Sequence, residues 1–278
     1  MLTLGKKIAA VVLSVDHNRP FAENMILAYQ DLWPNHPLHF FLPYQKNQTL
    51  DPRIDSASVT LVRTEPEIKQ TVLTLLSQFD PEDMVFWSID DKFPQRIDTG
   101  ILKSIFDSVG GSTFDVKFDG LLFTRARSLV SYPGIQKSEK EILGIPAYEV
   151  LTNKQFWLHQ LVRVKRLRYF FESMPSIARA KDMDLHIPSL EPPIARFVLK
   201  RTALVFDESS RRGIPTLAAI ESLQRREIFA PFEEGGKTAA MRSIGRPNME
   251  ETIQIFRHDL RASIRKHWPS RFGDRAEG

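Results

Sequence analysis

The 278-residue chain contains no cysteine. Disulfides, thiolate metal sites and cysteine nucleophiles are therefore excluded. No apolar stretch approaches the roughly 18 residues that a membrane-spanning helix requires. The first residues also lack the order of a signal peptide, because their lysines follow the first apolar residues and precede only a short apolar run. We therefore predict a cytoplasmic protein without a membrane span.

Glycine is absent between Gly5 and Gly100. The dinucleotide-binding fingerprint and the P-loop both need glycines directly after an early strand, where backbone amides approach phosphates. Here the first apolar run leads into Asp16-His17-Asn18-Arg19 instead. A Gly-x-Ser-x-Gly nucleophile elbow is missing as well. The sequence thus argues against a classical NAD enzyme, a P-loop NTPase and a serine hydrolase.

The formal charge of the chain is only +4, with 42% hydrophobic and 26% charged residues. This composition is ordinary for a globular protein that buries a sizeable core. The mild positive charge suits an anionic substrate or an acidic membrane surface, but it is too weak to indicate nucleic acid. We therefore expect no nucleic-acid partner.

Apolar runs alternate with helical periodicities in the N-terminal part of the chain. Helices are predicted after Asn18 and after Glu67, where apolar residues recur every three or four positions. The predicted strands that alternate with them are Ile8–Val15, Leu38–Leu42, Ser58–Val62 and Met84–Ile89. This alternation predicts an α/β fold with a Rossmann-like, mostly parallel sheet.

The rest of the chain continues the α/β pattern and then becomes helical. Further strands are predicted at Phe118–Thr124, Pro146–Leu151 and Ala203–Phe206, and a basic helix at Gln155–Phe171. Beyond residue 213 an apolar stripe from Met249 to Ile264 predicts a helix with a basic end. We predict one domain over residues 1–213 and a packed helical extension over 214–278. The basic end leaves open a weak association with a membrane surface.

Two adjacent carboxylates, Asp90 and Asp91, follow the predicted buried strand Met84–Ile89. A buried parallel strand delivers such residues to the carboxyl edge of the sheet, where open α/β folds bind ligands. The two carboxylates repel each other and raise each other's pKa unless a cation or a basic side chain lies between them. They predict either a divalent-metal site for a phosphate-bearing ligand or a solvated strand end. The missing glycines favour the metal site. Without glycine-rich loops, backbone amides cannot approach the phosphates, and a cation can neutralise them instead.

Several segments resemble bacterial glycosyltransferases of the GT-A fold. The resemblance is carried by Val11–Asp16, Ala28–Leu42 and Val85–Phe93, and more weakly by Tyr148–Leu158 and Ala203–Gly213. It implies a mixed, mostly parallel sheet that binds a nucleotide-sugar donor with Mn²⁺ or Mg²⁺. The Asp-x-Asp motif of the family is matched by Ser88-Ile89-Asp90 or by Ile89-Asp90-Asp91, so serine or isoleucine replaces its first acid.

The resemblance also implies roles for individual residues. The metal ligands would be Asp90, Asp91 and His186, and the catalytic base would be Asp182 or Asp184. The residues bordering the nucleotide would be Asp16, Asn18, Arg19, Arg63, Glu65 and Ser88. Turn residues, helix caps and a surface loop remain the alternative interpretations of these positions.

The resulting hypothesis is a metal-dependent glycosyltransferase that moves a sugar from a nucleotide-sugar donor to a glycan, lipid or protein acceptor. The incomplete motif keeps a second hypothesis open, a non-catalytic nucleotide-sugar or partner-binding protein on the same fold. A nucleotidyltransferase, which also uses paired acids and a metal, is the third hypothesis.

Overall fold

The computed structural model describes the larger part of the chain. The described residues are 7–109, 118–124, 135–150, 153, 156–176, 183, 186–187, 196–211, 214–228 and 243–244. The predicted helix Met249–Ile264 lies outside them, and so does its basic end. The domain boundary at residue 213 and the membrane-surface association therefore stay predictions.

Fourteen strands and five α-helices are present in the described residues. The strands are β1 (Ile8–Leu13), β2 (Leu38–Tyr44), β3 (Val59–Arg63), β4 (Met84–Ile89), β5 (Lys92–Ile97), β6 (Gly120–Leu122), β7 (Ile135–Ile142), β8 (Ile145–Val150), β9 (Gln160–Arg163), β10 (Arg196–Leu199), β11 (Leu204–Glu208), β12 (Ser210–Arg211), β13 (Ile214–Pro215) and β14 (Ser243–Ile244). The helices are α1 (Arg19–Leu32), α2 (Ile68–Leu76), α3 (Thr99–Val109), α4 (Val164–Ser173) and α5 (Leu217–Arg225). None of these helices is long and apolar enough to cross a membrane.

The main sheet has nine strands in the order β3-β2-β1-β4-β9-β6-β10-β8-β7. The four adjacent strands β3, β2, β1 and β4 are parallel to one another, whereas β9 is antiparallel to both of its neighbours, β4 and β6. The carboxyl ends of β1 to β4 therefore meet at one edge of the sheet. The predicted α/β class and the mixed, Rossmann-like sheet are confirmed.

A smaller sheet joins β5, β11 and β14. Strand β5 begins directly after Asp91 and pairs antiparallel with β11. The chain therefore leaves the main sheet at the Asp90–Asp91 pair and enters the smaller sheet at once. Asp90 and Asp91 therefore lie at a junction of two sheets and not at a free strand end. The sequence pattern did not predict β5 and so did not indicate this junction.

The predicted helix Gln155–Phe171 is wrong in its first part. Residues Gln160–Arg163 form β9, and α4 begins only at Val164. Leu161 and Val162 are fully buried between β4 and β6. Their pairing in the centre of the sheet outweighs the helix-like spacing of apolar residues in this segment.

Two helix starts show how local sequence sets the elements. Pro20 lies in the first turn of α1, where its fixed φ is favourable and its missing N–H costs nothing. Helix α2 is capped by Glu67, whose carboxylate accepts the amides of Lys69 and Gln70.

A buried hydrogen bond fixes the end of β4 against α1. The hydroxyl of Tyr29 lies 2.8 Å from Nδ1 of His159, and both side chains are fully buried. The other ring nitrogen, Nε2, lies 3.1 Å from the carbonyl oxygen of Ile89. Burial lowers the pKa of His159 to about 3, so the imidazole stays neutral. The Tyr29–His159 pair thus anchors the residue directly before Asp90.

Replacing the Tyr29 hydroxyl tests this anchor. Tyr29→Phe leaves Nδ1 of His159 buried without its partner, and we expect a loss of about 1–3 kcal/mol in the free energy of unfolding. Urea denaturation measures the loss. Tyr44→Phe is the control, because the Tyr44 hydroxyl accepts an exposed bond from Gln48 and its removal should cost less than about 0.5 kcal/mol. Equal stability of the two variants would contradict the anchor.

Candidate ligand site at the carboxyl edge

Asp16 ties the end of β1 to the loop that follows β2. Its Oδ1 accepts the amide of Gln45 at 3.0 Å, and its Oδ2 accepts those of Lys46 at 2.6 Å and Asn47 at 3.0 Å. Burial raises the pKa of Asp16, but these amide bonds outweigh burial and hold the pKa below its ordinary value. Backbone amides of the protein thus take up the hydrogen-bonding capacity of the Asp16 carboxylate.

Arg19 supports the same loop from below. The side chain is almost completely buried, and its Nη2 donates to the carbonyls of Pro43 at 2.9 Å and Asn47 at 3.3 Å. Burial lowers the pKa of Arg19, although the nearby Glu23 and Asp16 raise it in part. The structure therefore gives Asp16 and Arg19 a role in shaping the edge.

Asp90 is the buried carboxyl group at this edge, with 6% of the residue exposed. Its amide donates to the carbonyl of Leu13, which joins the ends of β4 and β1. The nearby side chains of Ser14 and Asn18 favour its ionised form and so lower its pKa. Its Oδ2 is buried without a hydrogen-bond partner among the described residues. The carboxyl group therefore keeps an unused acceptor atom at the ligand edge.

The charge state of Asp90 follows from its surroundings. Burial, and then repulsion from Asp91, raise its pKa to about 7, while Ser14, Asn18 and Lys92 oppose the shift. Near neutral pH, the carboxyl group is therefore divided between its protonated and ionised forms. A pKa close to the working pH is characteristic of groups that transfer protons, although structural networks produce it too.

Asp91 and Lys92 form an ion pair that is exposed on one side only. The Nζ of Lys92 lies 2.7 Å from Oδ1 of Asp91; the Asp91 side chain is 42% exposed and the Lys92 side chain 7%. The carbonyl of Asp91 accepts the amide of Ser209 at 2.6 Å, and Lys92 is opposite Glu208 in the smaller sheet. A buried ammonium group thus lies beneath a carboxylate that faces solvent.

The end of β11 supplies the second wall of the site. Ser209 is fully buried, and its hydroxyl has no hydrogen-bond partner in the part of the chain that the structure describes. Asp207 is buried on the same strand. The sequence reasoning missed Lys92 and Ser209 as site residues. The position of Lys92 directly after the acids could have indicated it, whereas no local signal marks Ser209.

The three other residues predicted to contact the nucleotide, Ser88, Arg63 and Glu65, differ in their exposure. The hydroxyl of Ser88 is fully buried and donates to the Val11 carbonyl at 3.1 Å, so it holds β4 to β1. Arg63 ends β3 and is exposed at the carboxyl edge. Glu65 follows it and is exposed too, while its carbonyl accepts the hydroxyl of Thr71. Only Arg63 and Glu65 are thus open to a ligand.

The second acid cluster is described only in part. His186 is exposed, and its amide donates to the Met183 carbonyl at 2.9 Å. Asp182 and Asp184 lie outside the described residues. Within the described part of the chain, no group of three or more His, Asp or Glu side chains is arranged to hold a metal ion. The roles predicted for this cluster therefore stay predictions.

The carboxylate pair does not fit a divalent cation in this arrangement. Asp91 is already paired with the Lys92 ammonium group, and Asp90 is buried beside it. A metal bound to both acids would lie close to that ammonium group. Two unit charges 4 Å apart repel each other by about 4 kcal/mol at an effective dielectric constant of about 20, and a divalent ion carries twice the unit charge. The pair therefore lacks the surplus negative charge that Mn²⁺ or Mg²⁺ needs.

A separate cleft of about 460 Å³ lies at the opposite edge of the sheet, beside the residues that lead into β2 and β3. It is lined by Leu27, Gln30, Asp31, Pro34, Asn35, His36, Arg53, Asp55, Ser58 and Arg226. Arg226 is paired with Asp31 at 2.7 Å, and Arg53 is paired with Asp51. Both arginines of the cleft are therefore already neutralised by aspartates.

No protein-family model matches the chain, and no curated protein sequence matches it. Solved structures do match its fold. The galactosyltransferase LgtC, in complex with donor and acceptor sugar analogues, is 11% identical with a TM-score of 0.35, over 58% of this chain and 59% of LgtC. Staphylococcus aureus TarS is 14% identical with a TM-score of 0.40, over 82% of this chain and 41% of TarS. The chain thus spans less than two thirds of TarS and of this LgtC chain, whereas its match to an active-site mutant of LgtC covers 98% of that chain.

A third match is the 2-C-methyl-D-erythritol 4-phosphate cytidylyltransferase IspD of Francisella tularensis. It is 11% identical with a TM-score of 0.40, over 80% of this chain and 98% of IspD. At such identities and TM-scores, the likeness carries no argument about the reaction of this chain.

Asp90→Asn tests the buried carboxyl group. Because the pKa of Asp90 is raised from 3.8 to about 7, the folded protein holds a proton that the unfolded chain releases at lower pH. The stability that this proton contributes is complete below about pH 4 and is lost as the pH rises through about 7. The stability of Asp90→Asn relative to wild type should therefore increase between these values and level off above them.

Chemical denaturation at a series of pH values measures this difference. The control is Asp107→Asn, since the Asp107 side chain is 63% exposed on α3 and its removal should give no comparable increase. A difference between Asp90→Asn and wild type that stays constant from about pH 4 to 8 would contradict the raised pKa.

Proposed function

We propose that this chain is a transferase that binds a nucleoside-diphosphate sugar at the carboxyl edge of β1 to β4 and passes the sugar to a glycan, lipid or protein acceptor. The observation that carries the proposal is the Asp90–Asp91–Lys92 turn. It presents a buried carboxyl group with an unused acceptor oxygen, an exposed carboxylate and an ammonium group at one point. Such convergent polar groups at the end of a central strand are typical of a ligand site in open α/β folds.

The chemistry of this edge suits both parts of a sugar nucleotide. Carboxylate oxygens accept hydrogen bonds from sugar or ribose hydroxyls, and Asp91 is exposed enough to do so. Positive side chains neutralise phosphates, and Lys46 and Arg63 are exposed at the ends of the neighbouring strands β2 and β3. The loop that carries Lys46 is held in place by Asp16.

The resemblance to GT-A enzymes also implies a divalent metal on Asp90 and Asp91. When bound, Mn²⁺ or Mg²⁺ would stabilise the negative charge that develops on the diphosphate leaving group. Because the pair does not fit such an ion here, the proposed function assigns the positive charge to side chains of the protein. Asp182 and Asp184 remain the proposed bases for deprotonating the acceptor hydroxyl.

A specific observation favours a second candidate function, nucleotide-sugar binding without transfer. Ser88, which stands where the Asp-x-Asp motif has its first acid, is buried in the β1–β4 pairing and does not face the edge. The first acid of the motif is therefore missing in this alignment, and the serine in its place is engaged within the sheet. A protein that binds the donor without transferring the sugar would tolerate this loss.

Calorimetric titration with UDP, GDP and ADP sugars tests the proposed function. We expect one donor class to bind wild type and to bind Asp91→Ala at least about tenfold more weakly, a difference of about 1.4 kcal/mol. The reason is that the substitution removes the exposed acceptor and the partner that orients Lys92. Asp83→Ala is the control, because Asp83 is an exposed residue before the other end of β4.

The outcomes separate the candidate functions. Release or transfer of the sugar in the presence of an acceptor supports the transferase, whereas tight binding without either supports the binding protein. Stronger binding of a nucleoside triphosphate than of every nucleotide sugar would indicate a nucleotidyltransferase. If no nucleotide sugar binds, or if Asp83→Ala weakens binding as much as Asp91→Ala, the proposed site is wrong.

A further inference from the structure

We propose that Lys92 is the resident cation of this site, so that its ammonium group occupies the place that a divalent metal would take between Asp90 and Asp91. The inference concerns the site on which the proposed function rests. It is nevertheless tested without any nucleotide, because it states which cation the carboxylate pair accepts.

The position of the ammonium group is set by contacts on both sides of the turn. Its Nζ lies 2.7 Å from Oδ1 of Asp91, and 7% of the Lys92 side chain is exposed. The backbone of Lys92 belongs to β5, which pairs with β11 from Leu204 to Glu208. The Asp91 carbonyl is held by the Ser209 amide at 2.6 Å. The backbone of Lys92 is therefore fixed at the junction between the two sheets, and its buried side chain reaches Asp91 from there.

The balance of charge leaves little for a metal ion. Two carboxylates with one ammonium group carry at most one net negative charge, and divalent cations are held by several hard oxygen ligands. No further His, Asp or Glu joins Asp90 and Asp91 into a metal-binding group among the described residues. The unpartnered Oδ2 of Asp90 is a single acceptor and already lies within the influence of the Lys92 charge.

The ammonium group also offers what a diphosphate requires. Lysine has three N–H donors, and Asp91 accepts one of them. Entry of a phosphate would desolvate the site and strengthen its attraction to a cation that is already in place. In this arrangement the charge of the leaving group is met by a side chain, and donor binding does not depend on added metal.

Titration with Mn²⁺ alone, followed by electron paramagnetic resonance of the free ion, tests the inference. Wild type and Asp91→Asn should bind Mn²⁺ equally weakly, because Lys92 excludes the ion from the pair. Lys92→Met keeps the apolar stem and removes the charge, so it should bind Mn²⁺ at least about tenfold more tightly than wild type. Lys92→Arg keeps the positive charge and should behave as wild type does.

Two results would overturn the inference. The first is Mn²⁺ binding to wild type that Asp91→Asn weakens tenfold or more, and the second is a folded Lys92→Met variant that gains no affinity. If Lys92→Met does not fold, the comparison of wild type with Asp91→Asn still decides the question. Failure of every nucleotide sugar to bind would remove the proposed function but would leave the Mn²⁺ result, and hence the inference, unaffected.

Discussion

The neutralisation of two adjacent carboxylates at the end of a buried strand is the constraint on which this edge of the protein depends. Asp90 is buried and Asp91 follows it directly, so burial and the charge of Asp91 raise the cost of ionising Asp90. Three groups offset that cost at Asp90: the Ser14 and Asn18 side chains and the Lys92 charge. The same turn starts β5, so the electrostatics of the pair and the junction between the two sheets depend on the same residues.

The acidic residues at the carboxyl edge are of two kinds. Some are fully hydrogen-bonded within the fold, and others keep carboxylate oxygens that could accept a bond from a ligand. The Asp16 carboxylate is saturated by backbone amides of the loop after β2. Asp90 instead retains a buried oxygen without a partner, and Asp91 has an exposed carboxylate. An unsatisfied buried acceptor is costly to fold. We therefore propose that a ligand binds at the Asp90–Lys92 turn, whereas Asp16 and Arg19 shape its surroundings.

Much of the parallel half of the fold was predictable, because β1 to β4 are continuous apolar runs separated by helical periodicities. Pairing between distant segments was not. The short strand β9 has the spacing of a helix, and only its burial between β4 and β6 makes it a strand. The candidate site shows the same division. The acids were predicted from their place after β4, whereas the contribution of Ser209 depends on β11 folding back onto the turn.

The most direct test of the central claim is a crystal structure with the nucleoside-diphosphate sugar that binds best, grown in the presence of a metal chelator. We predict that the diphosphate lies at the carboxyl edge, with a phosphate oxygen within hydrogen-bonding distance of Nζ of Lys92. A donor molecule seated in the cleft at the opposite edge, beside His36 and Arg226, would contradict the account.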